Sequence, residues 1–292
     1  MKQRVIALGL FDGVHIGHGE LLRTARARAD GLDCPASVLT FSPPPMQVVS
    51  GDPVLLINTA EERKSLMEQL YGVDEVLTLP FDAAFAAMPW DVFLTQLAET
   101  YHACHIVAGF DFRFGADGVG DAMRLRAFCA SHSIGCDIID QVTIDDIKVS
   151  SSHIRTLISD GNLAEAERFL GHPHYMELSV LPGNRVGRTI GAPTVNHIPA
   201  ANVVLPPYGV YATTTVIDGV SYRSVTNLGV RPSVSDDGEV SVETHILDFD
   251  GDLYGKILPH TFRFKIRDER KFSSLDALRA QIKKDMQTAR ED

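Results

Sequence analysis

Phe11-Asp12-Gly13-Val14-His15-Ile16-Gly17-His18 is the stretch on which the reading of this chain turns. It follows a short apolar run, Val5 to Leu8, and leads into Gly19–Ala29, which has helical periodicity. A strand, a tight turn and a helix are expected in that order. At such a junction the first backbone N–H groups of the helix lack partners and carry the positive end of its dipole, a ready anion site. Gly13 and Gly17 have no Cβ, so a phosphate can approach the backbone closely. His15 and His18 fall on one face of the first helical turn, where imidazole donates to charge building on a phosphoryl group. The same spacing serves zinc sites, but the preceding strand and the flanking glycines favour phosphate.

Outward from this turn the chain alternates up to about residue 140. Val5–Gly9, Ala36–Phe41, Glu75–Leu79, His105–Phe110 and Cys136–Asp140 read as short buried strands. Gly19–Ala29, Ala60–Leu70, Trp90–Tyr101 and Met123–Ser133 read as helices. Thr59 and Glu62 have capping-box spacing, and Pro89 suits a first helical turn. The alternation implies a parallel sheet with helices on its faces and ligands at the carboxyl ends of the strands. A short helical pair follows, with Ser151 or Ser152 and then Asn162 as caps, and Gly171–Tyr175 breaks the pattern. Two domains are expected, residues 1–170 and 171–292. From Met176 the segments are β-rich and separated by Gly, Pro, Asn and Asp, with Asp218-Gly219 marking a tight hairpin. This spacing suggests an antiparallel barrel, packed by an amphipathic helix bearing Leu275, Leu278, Ile282 and Met286.

The 292 residues are long enough for two cores, and 27 basic against 38 acidic side chains give a net charge of −11. That balance argues against broad nucleic-acid binding, so anionic substrates must be met by local donors. No apolar run approaches a membrane span, and none marks an export signal. Cys34, Cys104, Cys129 and Cys136 show no disulfide framework, so reduced thiols in the cytoplasm are expected. Cys129, His132 and Cys136 are read as packed side chains rather than metal ligands.

Further segments carry chemistry. Gly109–Gly115 ends the fourth strand and would close over a nucleotide, with Asp111 and Arg113 able to contact it. Val149–Arg155 places Ser151, Ser152 and free N–H groups at a helix start, and Arg155 offers a fork for distal phosphates. Thr40–Pro45 is read as a rigid, extended loop. In the second half Gly183, Gly187 and Gly191 let a loop wrap closely around phosphates. Thr194 and Asn196 supply small oxygen ligands suited to Mg2+. Glu243 is a carboxylate in an otherwise alternating strand.

At these residues the chain resembles the prokaryotic bifunctional riboflavin kinase/FAD synthetase family over nearly its whole length. The resemblance implies an N-terminal Rossmann-like nucleotidyltransferase domain and a C-terminal β-barrel riboflavin kinase domain with a terminal helix. It implies ATP-dependent phosphorylation of riboflavin to FMN, then adenylylation of FMN to FAD with release of pyrophosphate, both with magnesium. By resemblance His15 and His18 would hold the α-phosphate and the leaving pyrophosphate, in a turn that includes Phe11, Gly13 and Gly17. Ser151, Ser152 and Arg155 would bind the distal phosphates, and Asp111 would lie at the ribose or base. The Gly191–Asn196 loop would carry nucleotide and magnesium, Glu243 would accept the proton of the riboflavin 5′-hydroxyl, and Arg267 with the last helix would cover the flavin. The chain departs from the family pattern at Ser42 and Pro44, where an acid and a histidine are usual, and at Asp117, where a basic residue is common. Ser152, Val195 and Ser233 are milder departures. The alternatives are a chain in which only the kinase half turns over, a non-catalytic flavin-binding regulator, or another nucleotidyltransferase.

Overall fold

The computed structural model describes residues 2–181, 193–230 and 240–291. Gly183, Gly187, Gly191 and Ser233 lie outside them. The chain forms two compact units, Met1–His153 and Ile154–Asp292.

The first unit is built on five parallel strands, β1 (Arg4–Leu8), β2 (Ala36–Ser42), β3 (Glu75–Pro80), β4 (Ala103–Gly109) and β5 (Gly135–Ile139), in the order β3-β2-β1-β4-β5. All five were legible as apolar runs. The order reverses between β1 and β4, and in open parallel sheets ligands bind in the crevice beyond the carboxyl ends at that reversal. The Phe11–His18 turn leaves β1 at that end, and Gly109 closes β4 beside it. Ile6, Leu8, Leu39 and Ile106 pack one sheet face against Phe93, Leu94, Leu97 and Leu125. These come from α5 (Trp90–Glu99) and α6 (Ala122–Ser131), while α1 (Ile16–Leu32) packs against β1, β4 and β2.

Local chemistry sets the ends. The Thr59 hydroxyl accepts from Glu62 N at 3.2 Å and the Glu62 carboxylate from Thr59 N at 2.7 Å, a complete capping box for α3 (Ala60–Tyr71). Three expectations need correction. Thr40–Pro45 is not a long extended loop: Pro45 opens the short helix α2 (Pro45–Ser50), because a proline at the first helical position gives up an N–H that had no partner anyway. Pro89 is the residue before α5 rather than inside it. The cap of α7 (Ser151–Ser159) is Ser150, whose hydroxyl accepts from His153 N at 3.3 Å, and not Ser151 or Ser152. Asn162 does cap α8 (Leu163–Leu170), though without a side-chain bond. The short helix α4 (Ala83–Ala86) and the ribbon β6 (Thr143–Ile144) with β7 (Ile147–Lys148) had no sequence signal.

The second unit is a six-stranded antiparallel sheet: β8 (His174–Ser179), β9 (Val195–His197), β10 (Gly209–Ile217), β11 (Val220–Val230), β12 (Val240–Ile246) and β13 (Ile257–Arg267). The order is β8-β13-β10-β11-β12-β9. The sheet curls until its edges meet, where Leu181 N donates to Asn196 O at 2.8 Å. Asp218 and Gly219, at φ 49° and 82°, make the expected tight hairpin between β10 and β11. Hydroxyls occupy the buried face: Thr213, Thr226 and Thr244 are linked in a row at 2.8 and 3.0 Å. The C-terminal helix runs from Leu275 to Glu291, but its apolar stripe is not simply buried. Leu275 is 62% exposed, Leu278, Ile282 and Met286 line a pocket, and the fully buried side chains are Asp285 and Ala289.

Candidate active sites

In the turn after β1, Phe11, Gly13 and Val14 all have left-handed backbone, at φ 58°, 79° and 42°. For a β-branched valine this conformation is strained, by about 1–3 kcal/mol. Side-chain bonds hold it. Asp12 Oδ1 accepts from Ile57 N at 2.7 Å and Asn58 N at 3.4 Å, and the Ser151 hydroxyl donates to the Asp12 carbonyl at 2.9 Å. His15 is the N-cap of α1, its Nδ1 accepting from His18 N at 3.2 Å. That bond places the proton of a neutral His15 on Nε2, leaving a ring N–H to donate elsewhere. The His15 and His18 rings stack with centroids 3.6 Å apart and planes 12° apart, and Phe11, fully buried, tilts against His18 at 5.2 Å. Burial first, then His15 and Arg63, hold the His18 pKa well below the usual histidine value. His18 is thus a neutral imidazole at pH 7, and its Nδ1 is buried without a hydrogen-bond partner. A Cβ at Gly17 would lie 3.2 Å from the His15 ring, which would have to give by a few tenths of an ångström.

A cleft of about 390 Å³ opens on this pair and gathers Gly109, Asp111, Arg113, Ser150 and Ser151 around it. Asp111 is exposed and paired with Lys148 at 2.9 Å, and the Lys148 ammonium also sits 5.3 Å from the Phe110 ring centre. Sequence reasoning missed Lys148, which lies on the ribbon it did not foresee. Ser152 is exposed on the first turn of α7, and Arg155 follows one turn on, half-buried; neither lines the cleft. Gly13 is buried inside the turn.

Next to this cleft, and sharing Phe112 and Arg113 with it, is a pocket of about 630 Å³ walled by Phe41, Phe81, Phe85, Phe93, Phe112 and Phe114. Phe41 and Phe85 meet edge to face at 5.4 Å. Met46 and Val49 of α2 rim it, with Asp117. No single segment signalled this pocket.

In the second unit one transverse row of the sheet decides the geometry. Asn196, Glu243, Asn227, Val210 and Arg267 are successive cross-strand partners on β9, β12, β11, β10 and β13, so their side chains share one face. Above that row Glu243, Asn227 and Arg267 line a pocket of about 370 Å³ together with Phe272, Leu278 and Ile282. The buried Asp285 of the last helix holds Arg267 at 3.0 and 2.9 Å and accepts from Gln281 at 2.6 Å. A second pocket, of about 390 Å³, is lined by Asn196, Asp250, Asp252 and Tyr254. Thr194 lines both pockets. The neutral oxygens of Thr194 and Asn196 fit a hard cation that keeps waters and phosphate oxygens as its other ligands. Among the described residues no group of three or more His, Cys, Asp or Glu side chains is placed to hold a metal. His132 instead stacks on Phe128 at 3.9 Å, and the four cysteines are free thiols.

One unit is a parallel sheet with a strand-order reversal and the other a curled antiparallel sheet, each with its own pockets, which defines a two-domain protein. Residues 1–153 match the family model for FAD synthetase and residues 170–292 that for riboflavin kinase. Relatives named bifunctional riboflavin kinase/FMN adenylyltransferase include the Escherichia coli K12 protein, 39% identical over 98% of this chain and 92% of its own length. The Bacillus subtilis protein of that name is 35% identical over 98% and 91%. A solved structure that carries the name macrolide-efflux protein, from Streptococcus pneumoniae, has a TM-score of 0.85 and 34% identity, covering 99% of this chain and 94% of that one. No helix among the described residues is long and apolar enough to cross a membrane. The chain belongs to the bifunctional riboflavin kinase/FMN adenylyltransferase family and carries both of its enzymatic domains.

Proposed function

We propose that the barrel unit phosphorylates riboflavin with ATP and that the parallel-sheet unit adenylylates the resulting FMN, each at the site described above. The observation that carries this reading is that each unit brings its own complete set together: His15, His18 and Ser151 around one cleft, Glu243, Asn227 and Thr194 around another. In this reading the functional domains are residues 1–170 and 171–292, which assigns α7 and α8 to the first activity although the compact units divide between His153 and Ile154.

In the barrel, Glu243 takes the proton of the riboflavin 5′-hydroxyl as that oxygen attacks the γ-phosphorus. General-base help of this kind contributes about 10²–10⁴-fold. Thr194, lining both pockets, sits where the two substrates meet. Thr194 and Asn196 would hold Mg2+, which would supply charge neutralisation on the transferred phosphoryl group. Arg267, clamped by Asp285, and the last helix cover the flavin.

In the first unit the FMN phosphate attacks the α-phosphorus of ATP and pyrophosphate leaves. No protein nucleophile is needed, so catalysis is alignment and charge stabilisation. His15 donates from Nε2, His18 remains neutral beside it, and the N-terminus of α1 with Gly17 faces the phosphates. Ser151 meets the distal phosphates, and Asp111 with Lys148 borders the ribose or base. The aromatic pocket takes the isoalloxazine ring, and Phe112 and Arg113 connect it to the phosphate cleft. Both stronger sequence departures map to that aromatic pocket, since Ser42 and Pro44 lead into α2 and Asp117 lies on the rim. They leave the histidine pair untouched, which favours two working sites over a kinase alone. A flavin-binding regulator has no use for Glu243 or the histidines.

The thiols of Cys34, Cys104, Cys129 and Cys136 and the ATP requirement favour a cytoplasmic enzyme acting on small molecules. Incubating pure protein with riboflavin, ATP and Mg2+ and separating flavins over time tests the scheme. FMN appearing first and then declining as FAD rises supports it; FMN alone leaves the kinase, and no product leaves the binder.

A further inference from the structure

Beneath the Phe11–His18 turn lies a charged side chain that phosphate binding does not require. Arg63, on the first turn of α3, is 1% exposed and heads the largest fully buried side chains among the described residues. A guanidinium stays protonated at any working pH, so burying one demands a counter-charge and hydrogen bonds. Arg63 Nη1 donates to the Asn58 carbonyl at 3.2 Å, while Nε is buried without a partner. The nearby carboxylate is Asp12, 2% exposed, whose attraction works against the effect of burial on Arg63. Asp12 in turn accepts from Asn58 N and Ile57 N, and its carbonyl accepts from Ser151. A continuous set of bonds therefore runs from α3 through Asn58 and Asp12 to the start of α7, directly under the residue pair His15 and His18.

We propose that Arg63 is a positioning residue for adenylyl transfer: a buried cation that, through Asn58 and Asp12, fixes the strained turn and with it the stacked pair His15 and His18. This rests on the assignment of adenylyl transfer to that cleft. The charged and titratable groups that act on His18 are His15 from its own turn and Arg63 from α3, and Asp12, Glu61 and Glu62 in turn face Arg63. Asp111 with Lys148, and Asp140, line the same cleft. Of these, His15 and Arg63 oppose a proton on His18. Asp12 is already engaged by two backbone N–H groups. Removing the Arg63 charge then raises the His18 pKa, whereas lysine preserves the sign of the field.

The test measures FAD formation from supplied FMN and ATP between pH 5.5 and 9 for the wild type, Arg63→Lys and Arg63→Met, with kinase turnover of the same preparation as a concentration check. The expected result is a loss of about 30–100-fold in kcat for Arg63→Met, with KM for ATP changed by less than about threefold. The acid limb of its kcat profile moves up in pH, and Arg63→Lys recovers most of the rate and the original limb. A folded Arg63→Met with wild-type kcat, or with reduced kcat and an unmoved acid limb, overturns the proposal. If Arg63→Met does not fold, histidine NMR titration of Arg63→Gln against the wild type decides: a His18 midpoint that is higher in Arg63→Gln supports the proposal, and an unmoved midpoint overturns it. Failure of the parent reading looks different, because His15→Ala with His18→Ala would then leave FAD formation intact.

Discussion

The imidazoles of His15 and His18 lie parallel with centroids 3.6 Å apart, and the His15 ring nitrogen caps the backbone of His18. Two rings this close cannot both be protonated cheaply, so the pair is not a dication, and His18 is the ring that burial keeps neutral. In the proposed function the capping residue is also one of the phosphate donors. His15→Asn keeps a capping side chain but removes the ring, and is expected to retain stability within about 1 kcal/mol while FAD formation falls at least about 100-fold. Thermal melts and FMN-to-FAD assays on one preparation check this. Equal losses in His15→Asn and His15→Ala, with unchanged melts for both, would show that the cap contributes nothing.

Glu243 shares its transverse row with Asn196 and Asn227. Glu243→Gln keeps the shape and removes the base, so FMN formation is expected to fall about 10²–10⁴-fold with riboflavin binding retained. A rate within threefold of wild type would place the base elsewhere.

The aromatic pocket shares Phe112 with the phosphate cleft. Phe112→Ala is expected to raise KM for FMN in the adenylyl step about fivefold, from the loss of about 1 kcal/mol of ring contact, while the kinase step is unaffected. Raised KM for riboflavin instead would assign this pocket to the wrong flavin. Asp117→Lys, which restores the commoner charge at the rim, tests the sequence departure by the same assay.

His174 is buried with neither ring nitrogen bonded, and burial foremost, then His172, lowers its pKa to about 4. The folded state thus binds fewer protons than the unfolded chain between about pH 4 and 6.5. Its stabilisation is complete above the unfolded value near 6.5 and declines as the pH falls, by up to about 1.4 kcal/mol per pH unit. Denaturation midpoints of the barrel unit at pH 7.5, 6 and 5 are expected to fall in that order. His174→Phe is expected to flatten the decline, and an unchanged slope would remove His174 as its source.

Much of the fold was legible because the five parallel strands are apolar runs and the barrel hairpin carries Asp218-Gly219. What was not legible depends on tertiary context. Val195–His197 is too short to show a period of two, and only pairing with Thr244, Glu243 and Val242 makes it a strand. The three prolines of Thr40–Pro45 read as a rigid, extended loop, yet the third is a helix start. Arg63 sits in the run Glu61-Glu62-Arg63-Lys64, which reads as a solvated helix face; nothing local says that its third member points inward. The aromatic pocket draws on separate segments, each of which alone reads as ordinary core. The site motifs were legible in the opposite way, since the His15–His18 turn and the Thr194–Asn196 run concentrate their chemistry within a few residues.

The central claim is that one chain holds two separate sites, the product of one being the substrate of the other. Mixing two disabled proteins tests it most directly: Glu243→Gln, lacking the kinase base, with the His15→Ala, His18→Ala variant. Given riboflavin, ATP and Mg2+, each alone is expected to make little or no FAD, the second accumulating FMN. The mixture is expected to convert riboflavin to FAD, because FMN made by one protein is adenylylated by the other. A mixture that stops at FMN although the Glu243→Gln protein is folded, or a Glu243→Gln protein that cannot use supplied FMN, would contradict the account.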